Sequence, residues 1–156
     1  MDRTIQISDG KSLKLTNVLI REIDFNSEGS FDALVLQMEN YLKSKGVSPV
    51  GPLIEKAVGS ISDSGEHEFR IFLMRQASGF VHGIDKPYSM ESVLRVRNCF
   101  YAHYVGPEEN LSLAFDKINV TAFESGVELF DENYTVFVGQ KDTNIIADVF
   151  IQKKIE

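Results

Sequence analysis

The chain has 156 residues, 23 acidic against 16 basic side chains for a net charge of −7, 43% hydrophobic residues and one cysteine. A chain of this length buries about 70% of its unfolded surface and needs no disulfide or metal staple. So acidic a protein repels a phosphate backbone unless its cations cluster, and the densest here are Lys153-Lys154 and the spaced Arg95 and Arg97, which argues against direct nucleic-acid binding. Cys99 alone excludes an internal disulfide or a multi-cysteine metal centre, and its apolar surroundings read as those of a buried small hydrophobe. Met1-Asp2-Arg3-Thr4 carries no apolar signal core, and no apolar run approaches the ~20 residues that cross a bilayer. The expectation is a cytoplasmic protein with no membrane partner.

In chain order, Ile5 and Ile7 suggest a short edge strand. From Leu13 to Phe25 the alternation of Leu19, Ile23 and Phe25 with Val18 and Ile20 predicts a half-buried strand. Ser30 is a good N-cap for a helix whose apolar stripe runs through Phe31, Leu34, Val35, Met38, Tyr41 and Leu42, ending at Gly46. Two strands follow, Val50 to Val58 and His67 to Met74, joined by the polar stretch Gly59–Glu66. Residues 77–92 connect the halves, with Gly79, Gly83 and Pro87 as turn punctuation. Val93 to Val105 predicts another strand. Asn110 then caps a helix striped by Leu111, Ala114, Phe115, Ile118 and Ala122 and closed by Gly126. Phe130 to Val138 and Ile145 to Gln152 complete the set as strands around a shorter Gly139–Asn144 loop.

The second series repeats the first at a constant offset of 80 positions: Ser30 with Asn110, Met38 with Ile118, Gly46-Val47 with Gly126-Val127, Val58-Gly59 with Val138-Gly139. Such self-similarity predicts one β-α-β-β unit built twice. The expected fold is α+β: a tandem pseudo-twofold repeat, half-units 13–76 and 93–152, with antiparallel sheets and one long helix per half. A seam between repeats is a common place for a ligand.

The stretch Phe100-Tyr101-Ala102-His103-Tyr104-Val105-Gly106-Pro107 before a helix, with Glu132-Asn133-Tyr134 on the next strand, resembles the GyrI-like family. That family includes the effector-binding domains of bacterial multidrug-responsive transcription regulators. Its pattern ends a strand in His-x-Gly-Pro; here one more residue separates His103 from Gly106-Pro107. The resemblance implies paired units around a central groove that takes planar, often cationic molecules, and it implies that Glu132 is the ligand-binding glutamate. It also implies a standalone member without a DNA-binding segment.

The residues themselves point the same way for Glu132. Its same-parity neighbours Phe130, Tyr134, Val136 and Val138 are apolar, and a carboxylate on such a face needs a partner, unless a strand end simply solvates it. Tyr134, Tyr101 and Tyr104 offer rings with a polar tip. Tyr101 and Tyr104 have opposite parity, so one straight strand cannot aim both at one cavity; Phe100 shares a face with Tyr104, which favours Tyr104 as groove-facing. His103 and Glu132 are candidates for an acid–base pair or a structural hydrogen bond. The counterpart of Glu132 in the first half is Pro52, so a carboxylate stands in one half only. His67, His82 and His103 show no ligand spacing, and neither a metal nor a cofactor is expected. Three roles remain: a non-catalytic module binding a small cationic or amphipathic aromatic molecule, an interaction or inhibitor module for a basic or DNA-associated protein, and an enzyme acting on a reactive electrophile.

Overall fold

Period-two alternation gives each strand one face that must be covered. The computed structural model, which describes residues 5–23 and 30–154, shows how. Its elements run β1 (Gln6–Glu22), α1 (Phe31–Ser44), β2 (Pro49–Ile61), β3 (His67–Ala77), β4 (Tyr88–Gly106), α2 (Ser112–Glu124), β5 (Leu129–Lys141) and β6 (Asn144–Lys153). Every neighbouring pair is antiparallel, and the cyclic order β1-β3-β2-β5-β6-β4 closes the sheet into a barrel. The fold is thus α+β, dominated by a six-stranded antiparallel barrel with two helices outside it.

Closure changes the expected strand limits. Ile7 belongs to β1 itself, not to a separate edge strand, because residues 6–11 pair with Cys99–His103 of β4. Further along, Val18–Glu22 pair with Phe72–Gln76 of β3. In the same way β4 begins at Tyr88, so the last five positions assigned to the connector are strand. Asp24 and Phe25, placed in the first strand from sequence, lie outside the described residues. Two asparagines permit the long strands to stay amphipathic around a curved wall. Asn17 and Asn98 take φ of 50° and 60°, a left-handed conformation that asparagine tolerates. Leu15 and Val18, and again Val96 and Cys99, stand three apart across them and yet enter the same interior cluster; at Asn98 the register with β1 also shifts, between Lys11 and Leu13.

The outer face carries the helices. Ser30 caps α1, its Oγ accepting from the Ala33 N–H at 3.2 Å. Leu34, Met38 and Leu42 of α1 then pack on Leu19, Leu73 and Ala77. The second helix departs from expectation at its start: Asn110 lies in a 3-10 turn, Glu108–Asn110, and Leu111 precedes α2 with helical φ and no side-chain cap. The chain after Pro107 is already turning, so the cap geometry that a side chain needs never forms. Ala114, Ile118 and Ala122 of α2 cover Phe100, Ala102 and Tyr104 of β4 and Ala147 and Val149 of β6. Gly46 and Gly126 end the two helices at φ 86° and 71°. Inside the barrel, Leu13, Leu15, Val18, Ile54, Met74, Val96, Cys99, Tyr134 and Phe150 form a third apolar cluster.

Gly106 has a packing reason. The Tyr104 hydroxyl donates to the Pro107 carbonyl at 2.6 Å, and a Cβ on residue 106 would meet that hydroxyl at 2.5 Å and the ring carbon behind it at 2.9 Å. Gly106→Ala is expected to destabilise the fold by about 1–3 kcal/mol in chemical denaturation, the usual scale of overpacking against a rigid ring; a change within measurement error would refute that contact. Glu55 on β2 supplies a pH-dependent test. Burial, and then the nearby Glu108 carboxylate, push its carboxyl up from the ordinary 4.5. The folded state therefore holds this proton more tightly than the unfolded chain. Ionised Glu55 opposes folding above its folded pKa, and the penalty vanishes below the unfolded value. Glu55→Gln is expected to raise the melting temperature at neutral pH but not at about pH 3. Equal gains at both would exclude ionisation as the cause.

Candidate functional site

Direct partners in antiparallel strands project to the same side, so between irregularities the register traces the barrel's inner face. Tyr134 stands opposite both Lys56 and Phe150; Lys56 stands opposite Phe72, and Phe150 opposite Tyr101. Glu132 lies opposite Val58, which lies opposite Arg70. His103 and Asp148 are partners, and Asp148 also faces Val136. With Glu22 opposite Phe72, the inner face gathers four rings, three carboxylates, a lysine, an arginine and a histidine from six strands. Its middle is filled by Ile54, Met74 and Phe150, while the positions around Glu132 and His103 are partly open.

Glu132 is not isolated. Its Oε1 is 3.9 Å from the Lys56 ammonium, with the two side chains 45% and 25% exposed. That same ammonium lies 5.6 Å from the centroid of the Tyr134 ring and 5.7 Å from that of Phe72, within the range of cation–π attraction. Phe72 also carries Arg70, whose guanidinium carbon is 5.1 Å from the ring centroid. Arg70 is in turn held on both oxygens of Glu22 at 2.7 and 2.8 Å. Tyr134 is buried, and burial, with the Glu132 charge and Cys99 beyond it, pushes its phenol up to about 12, so it stays a neutral ring and hydrogen-bond donor near neutrality.

A second polar group sits across the same face. Asp148 Oδ1 accepts from the Tyr101 hydroxyl at 2.7 Å and lies 2.7 Å from His103 Nδ1. A carboxylate can only accept, so Nδ1 carries the proton in this contact. The pair expected from sequence, His103 with Glu132, gives way to His103 with Asp148, because β4 is hydrogen-bonded to β6 and not to β5. Burial, then the bond to Asp148, raises the Tyr101 phenol above its usual range. Tyr101 also contacts Phe150, ring centroids 5.0 Å apart.

The remaining sequence candidates fall elsewhere. Tyr104, favoured as groove-facing, is turned outward beneath α2 in the cluster with Ala114 and Ile118; Tyr101 takes the inward position. Phe100 is a poor guide because it shares that outward parity. Phe130 is exposed, and its ring is approached by the Lys154 ammonium at 5.9 Å. An irregularity between Leu129 and Asn133 breaks the alternation that related Phe130 to Glu132. Lys56, Phe72, Asp148 and Phe150 had not been singled out. Asp148 was detectable, as the lone charge amid Ile145, Ile146, Ala147, Val149, Phe150 and Ile151. Lys56 was not, since only the pairing of β2 with β5 brings it to Glu132. Cys99 is fully buried, and burial pushes its thiol up to about 11. Among the described residues no cluster of three or more His, Cys, Asp or Glu could hold a metal, and no helix is long and apolar enough to cross a membrane.

No family model and no curated protein matches the chain. Solved structures do. EcmrR, in its cryo-EM complex with DNA, superposes with a TM-score of 0.70 at 12% identity, over 97% of this chain. This chain spans 59% of EcmrR. A hydrolase encoded by lin2189 from Listeria innocua superposes with a TM-score of 0.59 at 13% identity, covering 97% of this chain and 92% of that one. SAV2435, solved with tetraphenylphosphonium, has a TM-score of 0.49 at 10% identity, covering 96% and 93%. The first two likenesses establish a shared fold.

Asp148 ties two strands together through one oxygen atom. Asp148→Ala leaves the partly buried Tyr101 hydroxyl without its acceptor, and a loss of about 1–3 kcal/mol is expected in denaturant unfolding. In the Tyr101→Phe background the same substitution is expected to cost less; equal losses in both backgrounds would show that the hydroxyl contributes nothing through Asp148.

Proposed function

We propose that the chain is a GyrI-like, non-catalytic binding module that takes a small cationic or amphipathic aromatic molecule against the inner face of the barrel, beside Glu132. In this reading the two β-α-β-β series are copies of one unit facing each other across the inner face. The offset of 80 positions supports it, as do the matching element order and the two helix-ending glycines. The fold shared with EcmrR fits the same reading.

The observation that carries the proposal is a partly exposed carboxylate at the margin of an apolar, ring-lined interior. Glu132 supplies charge, and the Tyr134 ring, buried beside the Lys56 ammonium, supplies a flat neutral surface once that side chain moves aside. A planar cation would gain ring contact and ion pairing together, whereas a neutral polar molecule would gain neither. His103 stands at the other side of the face as a donor or acceptor for a polar substituent.

A hydrolytic role is the second reading. It is favoured by the His103–Asp148 hydrogen bond, which orients the imidazole with Nδ1 protonated and leaves Nε2 as a base. The hydrolase of shared fold belongs on this side of the balance. No side-chain nucleophile stands next to His103 among the described contacts, so water would have to attack. Docking of a basic protein partner is the remaining alternative, supported by net charge alone.

Rhodamine 6G, a planar aromatic cation, provides the test by fluorescence anisotropy. Glu132→Gln is expected to weaken its binding about tenfold, the equivalent of roughly 1.4 kcal/mol for one lost charge contact. Tyr134→Leu should weaken it as well through the lost ring. Binding that survives both substitutions unchanged would place the ligand elsewhere and end the proposal.

A further inference from the structure

We propose that Lys56 is a built-in competitor for the cationic ligand: its ammonium already occupies the carboxylate–aromatic cage, and a ligand must displace it to bind. The inference rests on the binding reading above and adds to it a determinant of specificity from the opposite half of the chain.

Three contacts converge on one atom. The Lys56 Nζ is 3.9 Å from Glu132 Oε1, 5.6 Å from the Tyr134 ring centroid and 5.7 Å from the Phe72 ring centroid. Register makes this a fixed feature and not a chance surface contact: Lys56 is the direct cross-strand partner of Tyr134 on one side and of Phe72 on the other. A cage for a cation is thus complete and filled from within the chain. Yet each contact is of a weak kind. The ion pair is long, at 3.9 Å, and its carboxylate side is 45% exposed, which keeps its contribution small. The four-carbon stem lets the ammonium swing out to water, where it is strongly hydrated. Arg70 cannot take its place, since its guanidinium is committed to Glu22 by two hydrogen bonds.

Competition of this sort also selects the ligand's chemistry. A primary ammonium would exchange one hydrated point charge for another and gain no surface. A delocalised or quaternary aromatic cation loses less hydration on entry and covers the Tyr134 ring besides. The ligand class that outcompetes Lys56 is therefore the bulky, weakly hydrated aromatic cation and not the simple amine.

Rhodamine 6G is titrated by anisotropy into the full chain and into Lys56→Met, Lys56→Arg, Glu132→Gln and Lys56→Met/Glu132→Gln variants, each checked for native melting and far-UV circular dichroism. Lys56→Met is expected to bind about tenfold more tightly than the wild-type chain, Lys56→Arg to show no gain, and the double variant to lose the gain. Should Lys56→Met fail to fold, Lys56→Gln carries the same expectation. Unchanged or weaker binding in Lys56→Met, with Glu132→Gln still weakening it, overturns the competitor role and leaves the binding site standing. Absence of any effect from Glu132→Gln overturns the site and the competitor together.

Discussion

Two antiparallel seams, β1 with β4 and β2 with β5, hold the molecule together, and everything else follows from them. Without them the chain would present two three-stranded sheets, β1-β3-β2 and β4-β6-β5, each with free edges. With them each of the six described strands has two neighbours along part of its length, and the free edges of the two sheets are joined to one another. Closure also divides side chains into two populations by parity. Outward residues lie beneath α1 or α2, and inward residues share one interior. The left-handed asparagines at 17 and 98 serve this division, since residues three apart across each of them enter one interior cluster.

The interior so formed is apolar in its middle and charged toward its openings. Those charges are answered inside the chain: Glu132 by Lys56, Glu22 by Arg70, Asp148 by Tyr101 and His103. Compensation is needed because a carboxylate on an apolar face cannot be left without a partner. Tyr134 stays neutral among these charges because burial pushes its phenol up to about 12.

Pro52 lies in a β2 segment of irregular register, between Val50 and Ile54, with Gly51 at φ 74°. The carboxylate of Glu132 comes from β5 and the ammonium of Lys56 from β2, so the arrangement around Glu132 exists only where those two strands pair. His103 shows the same dependence: strand order gives it Asp148 as a partner and keeps Glu132 out of reach.

Sequence by itself determined the type and order of the main elements, though it split the start of β1 off as a separate edge strand; hydrophobic period, a capping serine and helix-ending glycines are local signals. It also singled out Glu132, whose apolar neighbours on one strand made a lone charge conspicuous. It misjudged Tyr104, because parity grouped it with Phe100 without saying which face is inward, and Phe130, because an irregularity before Asn133 breaks the count, and it could not find Lys56, an ordinary lysine in its own segment. Only the tertiary structure decided which strands are neighbours, and hence that Lys56 faces Glu132 and Asp148 faces His103. Cross-strand pairing joins residues far apart in the chain, and no pattern within either segment records its partner.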